Sequence, residues 1–112
     1  MLRRVRESVG RWPGCCETLS FGHPAFKAGP KTFAVLETYR DLLSLCVPAG
    51  EDQDLLLGQP GFYRTPYAGH RGWVSLRLEP GTDWRLVEGL LEGAYRRVAG
   101  PRKLHAFDAA RR

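Results

Sequence analysis

Apolar positions recur along the chain in two different periods, and the switches between them divide it into elements. Leu2, Val5, Val9 and Trp12 stand three and four residues apart, one stripe of an amphipathic helix that Gly10 weakens and Pro13 stops. From Glu17 to Val47 short β-like runs alternate with glycine and proline. Phe26–Ala28 and Lys31–Glu37 flank Gly29-Pro30 and read as a hairpin, with Phe33 and Val35 on one face and Thr32, Ala34 and Leu36 on the other. Leu42–Val47 is a further strand closed by Pro48. Glu51, Asp52 and Asp54 ahead of Leu55-Leu56-Leu57 predict a short helix with acids in its first turn and Gly58 at its end.

After a Gly-, Pro- and Tyr-rich connection at 59–72, Trp73–Leu78 alternates again. Val74, Leu76 and Leu78 face the core, and Trp73, Ser75 and Arg77 face away. Pro80-Gly81 breaks that strand, and Thr82 or Asp83 caps a long helix to about Ala99 that buries Trp84, Val87, Leu91 and Val98. The order is helix, antiparallel strands, short helix, strand, long helix. The expected fold is therefore α+β, an antiparallel β-sheet with the N- and C-terminal helices packed on one face. Residues 1–112 form a single domain, with a basic, mobile tail from about residue 101.

Composition narrows the class. With 43% hydrophobic and 26% charged residues the chain is an ordinary globular protein, and its apolar runs are too short to cross a membrane. Arginines follow the first two residues with no apolar run behind them, and three cysteines are an odd number. Both features point to a cytoplasmic protein with reduced thiols. The net charge of +5 is unevenly placed. Arg3, Arg4, Arg6 and Arg11 against Glu7 give the first twelve residues +3. The segment 96–112 carries +5, so the body is slightly acidic at −3.

No motif for chemistry survives inspection. Gly29-Pro30-Lys31-Thr32 has a proline inside what would be a phosphate loop, and it leads into a strand rather than a helix. His23, His70 and His105 are scattered, and Cys15, Cys16 and Cys46 lack paired spacing, so neither a metal nor a cofactor is expected. Ser20, Ser44 and Ser75 sit in no nucleophile frame, and the acids at 51–54 are helix-dipole partners. The chain reads as a binding protein, not an enzyme.

Trp12-Pro13-Gly14, the run Phe26-Lys27-Ala28-Gly29-Pro30-Lys31-Thr32-Phe33-Ala34, the stretch from Arg64 to Trp73-Val74 and the closing Ala94-Tyr95 resemble the small bacterial MmcQ/YjbR-like proteins, in order and spacing from about 12 to 99. The resemblance implies a CyaY-like fold and a DNA-binding role through two β-hairpin wings. Many relatives carry Asn-Lys-x-His-Trp where this chain has Gly69-His70-Arg71-Gly72-Trp73. Frataxin-like proteins of similar topology hold iron on an acidic first helix, whereas this first helix is rich in arginine.

One segment stands out from its surroundings. Between Leu55 and Leu78 there is no acid, while Arg64, Arg71 and Arg77 are interleaved with Phe62, Tyr63, Tyr67, His70 and Trp73. Lys27 and Lys31 flank the other hairpin turn. The expected nucleic-acid contacts are thus Lys27, Lys31, Arg64, His70, Arg71, Trp73 and Arg77, gripping phosphates without sequence preference. Two alternatives stay open at this point. One is a small-ligand or protein-binding module that uses the aromatic loop 62–73, and the other is an enzyme whose groups meet only in the fold.

Overall fold

The structure, a computed structural model, describes residues 1–111, the side chain of residue 39 excepted. Helix α1 (Leu2–Val9) leads into strands β1 (Cys15–Ser20), β2 (His23–Ala28), β3 (Lys31–Tyr39) and β4 (Leu42–Pro48). A single 3₁₀ turn and helix α2 (Gln53–Leu57) follow, then β5 (Phe62–Arg64), a second 3₁₀ turn at Gly69–Arg71, β6 (Trp73–Leu78), α3 (Trp84–Val98) and α4 (Pro101–Ala110). The six strands form one antiparallel sheet in the order β1-β2-β3-β4-β6-β5. This is the expected α+β architecture, with α1 and α3 docked through Val5, Val9, Val87, Leu91 and Ala94 on one face of the sheet.

Local signals explain most element ends. Asp83 caps α3 by accepting a hydrogen bond from the Arg85 amide at 3.0 Å. β1 and β2 are joined by the two-residue turn Phe21-Gly22, both residues at positive φ (49° and 83°), which is the type I′ geometry whose twist suits a hairpin. Arg40-Asp41 joins β3 to β4 in the same way, at φ 50° and 65°.

Three expectations need correction. The segment expected as a mobile tail from about residue 101 is a helix over Pro101–Ala110, with Phe107 only 2% exposed, and residue 112 lies outside the described residues. Pro101 ends α3 but also opens α4, because a first-turn position has no intrahelical N–H bond to lose. Phe107 then joins Trp12, Phe33 and Tyr95 in a ring cluster with centroid separations of 5.0–6.2 Å. Arg96 and Arg111 stack on Phe107 from outside and are held by Asp108 and Glu92.

The second correction concerns β3. Its register against β2 shifts between Phe26 and Lys27, leaving Phe33 as an extra residue. The bulge turns Phe33 into the core beside Ala34 and Leu36, while Val35 alone of that expected pair lies on the far face. Third, Trp84 and Val98 are half-buried rather than buried. They sit at the two ends of α3, where the sheet no longer covers them, and Trp84 is instead overlaid by the Arg4 guanidinium at 4.1 Å.

Candidate functional site

The opposite face of the sheet carries no docked helix among the described residues, and there the side chains change character. Strand alternation brings Val35, Cys46 and Ser75 up beside one another, since Cys46 pairs with Val35 on one side and with Ser75 on the other. Ser75 Oγ lies 3.2 Å from Cys46 Sγ and 2.9 Å from Thr65 Oγ1, and the Cys46 thiol also donates to Glu37 Oε2 at 3.4 Å. Beside this row Tyr63 donates its hydroxyl to Ser44 Oγ at 2.7 Å. Among the described residues no buried side-chain nitrogen or oxygen lacks a partner.

The thiol in this polar floor is held protonated. Burial pushes the Cys46 thiol up to about 12, with the neighbouring Glu37 carboxylate acting in the same direction against the bond to Ser75. A thiol held protonated is a poor nucleophile. Among the described residues no three His, Cys, Asp or Glu side chains come together as metal ligands do.

Above the floor lies a cleft of about 730 Å³. The connection from β5 to β6 forms one wall with Pro66, Tyr67 and Arg71, and Trp73 closes its base. Phe21 and His23, from the first hairpin, and Lys31, at the start of β3, form the other side. The β5–β6 connection is held in place rather than loose. Gln53 donates to the carbonyls of Gly69 and Trp73, at 2.6 and 3.0 Å, and Ala49 donates its amide to the Gly72 carbonyl. Gly72 has to be glycine here, since its φ is 87° and a Cβ would meet the Gly50 backbone at 3.1 Å.

The seven expected contact residues therefore separate. Lys31, Arg71 and Trp73 line the cleft. Lys27 and Arg77 alternate with core residues, Phe26 and Ala28 in one case and Leu76 and Leu78 in the other, so both project on the cleft side. Arg64 serves the fold instead: its guanidinium donates to the Gly69 carbonyl at 3.3 Å and to Gln53 Oε1 at 3.4 Å, bracing the connection from within. His70 is exposed on the 3₁₀ turn outside the cleft lining. Sequence reasoning missed Phe21, whose signal was a Phe-Gly pair at a hairpin turn where Asn-Gly would be usual. It also missed the Cys46–Ser75–Thr65 row, which only cross-strand pairing assembles.

The YjbR family model matches residues 11–97, from the turn after α1 to the last turn of α3. The chain belongs to the YjbR family. A solved structure has a similar fold: the crystal structure of Deinococcus radiodurans protein DR2400, described as a DUF419 domain, superimposes with a TM-score of 0.73 at 22% identity. The match covers 85% of this chain and 75% of that one. At that identity the likeness establishes the fold alone. No curated protein matches this chain. No helix among the described residues is long and apolar enough to cross a membrane.

Proposed function

We propose that this YjbR-family protein is a cytoplasmic, non-enzymatic nucleic-acid-binding protein that grips phosphates with the two hairpins flanking its open sheet face. The observation that carries the reading is the gathering of Lys27, Lys31, Arg71 and Arg77 from separate strands and loops onto that one face, while the helices occupy the other. Cations from distant parts of a chain that project together suit a polyanion, and contacts of this kind carry no sequence information. The cytoplasmic part of the reading is supported by the three free thiols.

A salt series tests the reading. The logarithm of affinity should fall linearly with the logarithm of salt, and Lys31→Ala with Arg71→Ala should flatten the slope by about two units. Arg64→Ala should change it little, since that side chain is engaged inside the loop. As a charge-matched control, Arg11→Gln with Arg102→Gln removes the same charge outside the cleft. Equal flattening by both pairs would mean that the protein acts as a diffuse polycation. A second reading is favoured by the size of the cleft, which falls in the range of about 300–1,000 Å³ common for small-molecule sites.

A further inference from the structure

Phe21 and Tyr67 share three properties that ordinary folding does not explain. Each is a bulky aromatic in a left-handed backbone conformation, φ 49° and 64°, where glycine or asparagine is the low-energy choice. Each leaves its ring in water, at 102% and 96% exposure, so neither gains from burial. Both line the same cleft. A position that is unfavourable for the backbone and for the ring alike is retained for something outside the fold, and strained conformations gather at binding sites.

The cations give the partner's size. Lys27 is on β2 and Arg77 on β6, three strand spacings apart, or about 14 Å across the sheet at roughly 4.8 Å per strand. That distance exceeds what one phosphate of a free nucleotide would fill. The floor adds a constraint of opposite sign, because the Glu37 carboxylate lies in it and repels phosphate. A ligand that fits places phosphates at the rim and presents flat, uncharged faces to the rings. Bases in a duplex have their faces stacked on each other, whereas those of a single strand are free to stack on aromatic side chains.

We propose that the cleft binds single-stranded nucleic acid, with Phe21 and Tyr67 as the stacking platforms for its bases and Trp73 at the base of the same cleft. This rests on the phosphate-binding reading above and narrows it to a strand class. The two turns are aromatic at the expense of their own geometry, so restoring favourable turn residues should separate folding from binding. Phe21→Asn gives the β1–β2 turn the Asn-Gly pair that its type I′ geometry prefers, and Tyr67→Gly relieves the second position.

The experiment titrates a fluorescein-labelled oligothymidylate, and a duplex of the same length, into the full chain and each variant across a salt series. Unaltered protein should bind the single strand more tightly than the duplex. Each variant should melt at or above the temperature of the unaltered protein yet bind the single strand about tenfold more weakly, with an unchanged salt slope. Variants that fold and bind oligothymidylate as tightly as the unaltered protein would overturn the stacking role, and a flattened slope in Lys31→Ala/Arg71→Ala would then leave the phosphate reading standing. Tighter binding of the duplex would overturn the strand class. No binding of either probe would overturn both readings.

Discussion

The two faces of the sheet are built from the same strands, residue by residue in alternation, yet they follow different rules. On the helix side nearly every residue is apolar and closed against a neighbour: Phe33, Leu36, Leu45, Leu91 and Tyr95 are each no more than 1% exposed. On the other side the strands and the β5–β6 connection present a thiol, several hydroxyls, a carboxylate and four cations, and the rings of Phe21 and Tyr67 stand in water. One face has spent its sequence on density, which fixes the structure. The other tolerates groups that do not help folding, and residues of that kind are the ones to question for function.

Several substitutions test that division. The largest loss should come from the helix side at Phe107→Ala, about 3–5 kcal/mol, because it opens a cavity among Trp12 and Tyr95 and releases α4. A denaturation midpoint unchanged by it would mean that the last helix does not close the core. Leu91→Ala should cost about 2–5 kcal/mol by the same mechanism in the middle of α3. On the open face Ser75→Ala removes the hydroxyl that Cys46 and Thr65 share, and urea unfolding should register about 1–3 kcal/mol. Arg77→Ala should lie within about 0.5 kcal/mol of the unaltered protein, being exposed on a strand that already pairs on both sides. An Arg77→Ala loss as large as that of Leu91→Ala would erase the contrast between the faces.

Acid should act on the helix side first. Glu17 is held below the usual carboxylate range by its two bonds from Arg6, and for Glu92 burial pushes upward but Arg111 and Arg96 more than offset it. A carboxyl with a depressed folded pKa contributes stability that is present above its unfolded value of about 4.3 and disappears as pH falls through the folded one. Melting temperature should therefore hold down to about pH 5 and drop below it, by less in Glu92→Gln than in the unaltered chain. A melting curve equally acid-sensitive in both would remove Glu92 from the account.

The helix side was readable from sequence because its rule is periodic. Val87, Leu91 and Ala94 repeat at helical spacing and Val74, Leu76 and Leu78 at strand spacing, so burial follows from the pattern. Failures came where one residue breaks a period. The extra residue at Phe33 reverses a strand face, and Phe107 is a lone large ring in a charged helix whose value depends on partners 12 to 95 positions away. On the open face the basic and aromatic content was visible, and so was its concentration between Leu55 and Leu78. The occupation of Arg64 by Gly69 and Gln53 was not, because it depends on how a loop folds back. Phe21 was legible only to a question about turn chemistry, since its neighbours in sequence give no sign of a cleft.

The ring cluster has a consequence for the order of events in folding. Neighbouring strands β1 to β4 are joined by short turns, so each can find its partner quickly, whereas Trp12 must meet Phe107 and Tyr95 must reach the carbonyl of Pro13, at 2.6 Å across most of the chain. Contacts of such long sequence separation form late, after the loop between them has been closed. Weakening the cluster should therefore speed unfolding and leave the refolding rate nearly unchanged. The terminal helices then act as a latch on a sheet already formed, and the lifetime of the native state is set by how long that latch holds.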